Sequence, residues 1–188
     1  MKEAWWLTIA AAGPLCVYLV FNTWLPTFYR ESLGLGAAKA AQLTGLANIV
    51  GIPSAILGGV LAQRTGRRKP FILASGVLTG ISAFGLFMTT NVVLLSASAV
   101  VFGVGLFLWV APLTTLAMEI PGITPQKLAL LNGVFFSVGY LFAFLAPLAA
   151  GALRDATGSF IPGFVLFSLL SFSLVFGGMM LKETAHPR

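Results

Sequence analysis

Charge is what this sequence has least of. Of its 188 residues only 9 % are Asp, Glu, Lys or Arg, where a soluble domain carries about 25 %. Sixteen charged side chains, eleven basic and five acidic, cannot clothe a folded chain in water, so a soluble enzyme and a disordered chain are both excluded. Cysteine is nearly absent as well. Cys16 is alone, so no intrachain disulfide and no multi-cysteine zinc site can form. The one histidine, His186, lies two residues before the C-terminal Arg188. No acid, base or histidine occurs in the middle of any long apolar run. Intramembrane ionisable groups mark proton relays and ion paths, and none is evident here.

What is present is apolar: 58 % hydrophobic residues and a mean hydropathy of +0.97. The composition predicts an all-α integral membrane protein in one domain, 1–188. The hydrocarbon core takes about 20 apolar residues per helix, and six stretches qualify. They run from about Trp5 to Tyr29, Ala40 to Ala62, Phe71 to Thr90, Val92 to Met118, Leu128 to Leu153 and Phe160 to Leu181. Barrel strands would alternate polar and apolar residues, and these runs do not. The connections are short: Arg30 to Gly34, Gln63 to Pro70, a turn at Asn91, Glu119 to Lys127 and Arg154 to Ser159. Lys2 opens the chain, but the first apolar run is too long and too interrupted for a cleavable signal.

The basic residues fix an expected orientation. With both termini inside, the inner side holds Lys2, Arg64, Arg67, Arg68, Lys69, Lys127, Lys182 and Arg188, eight against Arg30, Lys39 and Arg154 outside. Excess Lys and Arg mark the cytoplasmic side. The membrane also accounts for the pI near 10, so no nucleic-acid partner is expected.

Two segments resemble each other. Gly59-Val60-Leu61-Ala62-Gln63-Arg64-Thr65-Gly66 and Gly151-Ala152-Leu153-Arg154-Asp155-Ala156-Thr157-Gly158 share Gly, Leu, Thr and Gly at a constant offset of 92 residues. One ends the second span and the other ends the fifth, on opposite sides. This predicts two inverted three-helix repeats, about 1–91 and 92–188, as in many secondary transporters.

The stretch Gly59 to Lys69 resembles the signature of the major facilitator superfamily. That signature is Gly, three residues, Asp, a basic residue, any residue, Gly and two basic residues. Gln63 stands where the family has Asp, and every other position matches. The pattern has physical content: Gly59 permits close helix approach, Gly66 supplies the positive φ of a tight turn, and Pro70 suits the first turn of span three. The resemblance implies a gating loop at Gly59, Gln63, Arg64, Gly66, Arg67 and Arg68, where the family latches its two halves together. The uncharged Gln63 removes one charge from that latch.

The resemblance covers half of a usual family member. It is most like the C-terminal half, and like cyanate- and anion-type permeases within the family, through Asn22-Thr23-Trp24-Leu25-Pro26, Gly151 to Gly158 and a short polar tail. It implies that spans one and four line a cavity, with two and five beside them. Tyr18 and Asn22 share a face of span one, and Asn132, Phe136 and Tyr140 share a face of span five. Span four carries Trp109, Thr114 and Thr115. The expected substrate wall is Tyr18, Asn22, Trp109, Thr115, Asn132, Phe136 and Tyr140. Asn48 reads as an interhelical hydrogen-bond partner, and Trp24 and Tyr29 as interfacial anchors. Pro14, Pro53, Pro112 and Pro147 fall inside spans and should loosen them.

The function expected is a membrane transporter half. It moves a small polar or weakly anionic solute by alternating access in the inner (plasma) membrane. A lone six-helix unit would expose its cavity wall to lipid, so a homodimer or a second six-helix half is expected as partner. The alternative is a non-transporting accessory or truncated membrane domain packed on a partner protein. No enzyme activity, cofactor or metal is expected: hydrolysis needs a positioned base or a metal, and no pair of acids or His–Cys cluster supplies one.

Overall fold

The computed structural model describes residues 2–120, 122–181 and 183. Of the inner basic residues, Lys182 and Arg188 lie outside the described set, as does His186. All regular structure among the described residues is helical. The helices are α1 (Lys2–Glu31), α2 (Ala37–Thr65), α3 (Lys69–Gly85), α4 (Val92–Leu108), α5 (Val110–Met118), α6 (Pro125–Thr157), α7 (Ile161–Leu170) and α8 (Ser173–Met180). They trace six membrane segments, because α4–α5 and α7–α8 are each one broken span. Five segments are long and apolar enough to cross a membrane on their own. The third, α3, has 17 residues, about 25 Å of helix. It stops short of the expected Thr90 because the Leu86 N–H closes back onto Ala83 O and Phe84 O, which tightens and ends the helix. Several helices outrun their apolar cores. Left-handed Gly66 (φ 66°) ends α2 and Gly158 (φ 71°) ends α6, at positions set by backbone conformation rather than hydropathy.

The breaks have named causes. Pro112 has no N–H for the Leu108 carbonyl four residues back, and the helix breaks at Trp109. The carbonyl of Leu108 faces Gly58, where a Cβ would lie 2.1 Å from it. Above the break, Ser54 Oγ of α2 donates to Val104 O at 2.9 Å and Ser75 Oγ of α3 donates to Gly105 O. Pro14 likewise leaves the Ala10 carbonyl without its helical donor. Ser173 Oγ, at the start of α8, donates to Ala10 O at 3.3 Å and accepts from Gly13 N–H at 3.1 Å. A Cβ on Gly13 would meet Leu170 O at 1.9 Å, so the Gly13–Pro14 step of α1 sits against the gap between α7 and α8.

Packing follows from small residues. The buried face of α2 is Ala40, Leu43, Ala47, Gly51, Ser54, Gly58 and Ala62, one residue every three or four. It lies against α4, whose Gly103 approaches Ala47 O to a would-be Cβ distance of 2.3 Å. In lipid such close backbone contact substitutes for a hydrophobic driving force. Gly58, rather than its signature neighbour Gly59, makes the tight approach: a Cβ on Gly59 meets only the Ala111 methyl at 3.2 Å. Helix α1 packs along α6, and Phe21, Phe28, Phe87, Phe102 and Phe164 interlock at centroid distances of 5.2–6.3 Å among α1, the turn after α3, α4 and α7.

Tyr29 is not an interfacial anchor. It is buried, and its hydroxyl donates to Leu86 O at 2.9 Å, tying the end of α1 to the end of α3. Trp24 donates from Nε1 to Pro147 O of α6 at 2.9 Å. Beside it Arg154 pairs with Glu31 at 2.7 Å and lies 4.5 Å over the Phe160 ring.

The two matching segments also match locally. Thr65 Oγ1 donates to Leu61 O at 2.8 Å and Thr157 Oγ1 donates to Leu153 O at 2.7 Å. Pro70 and Pro162 then open α3 and α7 at the same offset of 92 residues.

Candidate functional site

Helices α1 and α6 and the α4–α5 break enclose a cleft of about 310 Å³. Tyr18, Phe107 and Tyr140 lie within two residues of the middle of Lys2–Glu31, Val92–Met118 and Pro125–Thr157. The cleft is therefore at mid-depth, where transporters place their solutes. Of the expected wall, Tyr18, Trp109, Phe136 and Tyr140 come together here, joined by Phe107 and Thr114. Tyr18 meets Phe107 edge-on at 5.9 Å, and Phe136 stacks on Tyr140 at 6.0 Å. No charged side chain lines the cleft. Thr114 Oγ1 donates to carbonyls of its own helix, Val110 O and Ala111 O. Trp109 is buried, and its Nε1 has no hydrogen-bond partner.

The other expected wall residues lie elsewhere. Asn22 bridges α1 and α2: its Nδ2 donates to Tyr18 O at 2.8 Å, and its Oδ1 accepts from Asn48 Nδ2 at 2.9 Å. The cross-helix pair is invisible in either helix alone. Asn132 lines a gap of about 10 Å³ beneath the cleft, with Leu7, Leu113 and Phe135. Thr115 faces a second cleft of about 450 Å³, with Gly59, Gln63 and Arg68.

That second cleft contains the signature loop. Arg68 is 9 % exposed and pairs with Glu119 at the end of α5, 2.7 Å away. Its Nη1 also donates to Ala62 O at 3.4 Å. The Glu183 carboxylate accepts from the backbone N–H of both Arg68 and Lys69, at 2.9 and 3.1 Å, at the N-terminus of α3, where the helix dipole favours an anion. Lys69 Nζ in turn donates to Met179 O at 2.6 Å and Leu181 O at 3.1 Å at the end of α8. Sequence reasoning saw the basic loop but missed its acidic partners, which lie 51 and 115 residues further on. It missed Phe107 too, although Pro112 carried the signal that the helix opens there.

Residues 1–147 match the family described as Major Facilitator Superfamily. The uncharacterized transporter YycB of Bacillus subtilis is 28 % identical over 179 residues, which cover 94 % of this chain and 43 % of that protein. The probable galactarate/D-glucarate transporter GudP of Escherichia coli is 24 % identical, covering 88 % of this chain and 40 % of its own. The cyanate transport protein CynX of the same organism is 27 % identical, covering 91 % and 44 %. The chain thus spans less than half the length of these curated relatives. A crystal structure of the peptide transporter POT superposes with a TM-score of 0.82 over 95 % of this chain and 37 % of its own; at 22 % identity this likeness is one of fold. The family signature of the α2–α3 loop, the six helical segments and the match over most of the sequence agree, and the chain belongs to the major facilitator superfamily as a multi-pass membrane protein.

Proposed function

We propose that this chain is one six-helix unit of a transporter that moves a small polar or weakly anionic solute by alternating access. The observation that carries this reading is the mid-depth cleft between α1, the α4–α5 break and α6, in a chain whose relatives bear transporter names. Tyr18, Trp109, Phe136 and Tyr140 form the solute wall of this unit. Asn132 and Thr115 flank it, and Asn22 holds α1 to α2 behind it. One side of the cleft is open, so a second unit, either another copy or a distinct six-helix half, closes it. The site lies in the plasma membrane with both termini and the basic loop cytoplasmic. The matched helix ends at Gly66 and Gly158 support two inverted three-helix repeats, 1–91 and 92–188. The chemistry is transport rather than catalysis.

The loop from Gly59 to Lys69 gates the inner side. With Gln63 in place of the acid, the charge contact is Arg68 with Glu119, which holds the inner ends of α2, α3 and α5 as one body. The test is flux into liposomes containing the purified chain, with labelled galactarate and cyanate among a panel of small solutes. Saturable uptake that falls at least about tenfold in Tyr140→Ala, with folded yield unchanged, is expected, because wall contacts supply the binding. Leu169→Ala on the outer face of α7 should leave uptake intact. Absence of saturable flux for every solute, or normal flux in Tyr140→Ala, would overturn the reading.

A further inference from the structure

The geometry points to a solute with a flat aromatic ring, held by this unit through ring contacts, with any charged group turned away from the cleft. This inference rests on the transporter reading of the same cleft and narrows its solute class. Six rings, those of Tyr18, Phe107, Trp109, Phe135, Phe136 and Tyr140, line about 310 Å³, at the small end of the size range of ligand pockets. Phe136 and Tyr140 are 44 % and 54 % exposed and stack at 21° on consecutive turns of α6, forming a flat rail. Phe135 stands edge-on to that rail at 4.9 Å, and Tyr18 stands edge-on to Phe107 across the cleft. Edge and face are the two surfaces that a further ring accepts.

The same lining rejects an anionic group. Ring faces carry the negative lobe of the quadrupole, and no cation lines the cleft. A carboxylate inserted here would lose its water and find only the neutral donors of Tyr18, Trp109 and Tyr140, with no counter-charge. The phenols argue against lipid as the resident. Tyrosines that face lipid gather at the interface, whereas Tyr18 and Tyr140 are at mid-span. Their hydroxyls suit a ligand with polar edges better than an acyl chain.

The experiment measures binding of ring-labelled benzamide to the purified chain in nanodiscs, with benzoate, cyclohexanecarboxamide and decanoate as competitors. Saturable benzamide binding, benzoate competition and a weakness of about three- to tenfold for the saturated ring are expected, the size of one lost aromatic contact. Phe136→Ala should weaken binding by a similar factor. Phe136→Leu, which keeps an apolar side chain and guards against a folding defect, should weaken it as well, and Leu169→Ala should not. Absence of benzamide binding, equal binding of the saturated ring, or displacement by decanoate as strong as by benzoate would overturn the inference, the last by showing a lipid-tail groove. Benzamide binding without flux of any solute would sink the transporter reading and leave ring recognition standing. Galactarate flux without benzamide binding would do the reverse.

Discussion

Gly58 and Gly59 are neighbours with different tasks. A Cβ on Gly58 would sit 2.1 Å from the backbone oxygen of Leu108, which cannot swing aside, whereas one on Gly59 meets a methyl at 3.2 Å. Gly58→Ala should therefore cost about 1–3 kcal/mol of stability through overpacking, and Gly59→Ala less than about 1 kcal/mol. Thermal unfolding midpoints in one detergent compare the two; equal midpoints would mean that α2 and α4 can part at no cost. Arg68 carries a second residue-level expectation. Its guanidinium is buried against Glu119, so Glu119→Gln leaves a charge short of its counter-ion and should destabilise by about 3–5 kcal/mol. In the double variant with Arg68→Met the loss should be smaller than the sum of the single losses. Additive losses would show that the pair is not coupled. Some of this was legible from residues alone. The tight turn at Gly66 follows from the signature. The close approach at Gly58 did not, because which of two adjacent glycines faces a neighbour depends on a helix rotation of about 100° per residue.

The carbonyls around the α4–α5 break and the one freed by Pro14 take hydroxyl donors from other helices. Ser173 takes up the Ala10 carbonyl that Pro14 leaves without a donor. Ser173→Ala strands that carbonyl, and should cost about 1–3 kcal/mol. Ser96→Ala, whose hydroxyl bonds only within its own helix, should cost under about 1 kcal/mol. Chemical unfolding separates the two, and equal losses would mean that Ser173 is only a helix-capping surface residue. Pro112→Ala restores the N–H that Leu108 O lacks. We expect a rise in stability of up to about 3 kcal/mol together with reduced solute uptake, because the break that shapes the cleft closes. Higher stability with unchanged uptake would remove the break from the mechanism. At this scale the sequence was legible wherever hydropathy decides: all six segments coincide with apolar runs. Pro112 signalled the opening at Trp109, but nothing signalled the break at Ser171–Phe172, because no proline or glycine lies between Gly163 and Gly177. The site divides the same way. Phe136 and Tyr140 were readable from their spacing, while Asn22 found a partner 26 residues away in Asn48, which no single-helix pattern reveals.

The charge distribution belongs to the whole molecule. Helix alternation places Arg64, Arg67, Arg68 and Lys69 at the same end as Glu119 and Glu183, and Arg154 with Glu31 at the other. If the positive end is cytoplasmic, a cysteine at Thr65 resists an impermeant thiol reagent applied to intact cells and reacts once the membrane is opened. Labelling from outside would invert the molecule. The single native thiol, Cys16, is buried and leaves the assay clean. The reciprocal grip between Lys69 and the end of α8, and between Glu183 and the start of α3, has a consequence in time. Helix α3 is the shortest of the six segments and has no acidic residue in its first turn; the carboxylate that serves this purpose lies 114 residues later. During synthesis at about 5–20 residues per second, α3 thus waits several seconds in the bilayer before its cap exists. The second half of the chain completes the first, and the sixth segment, made long after the third, is the one that locks it in place.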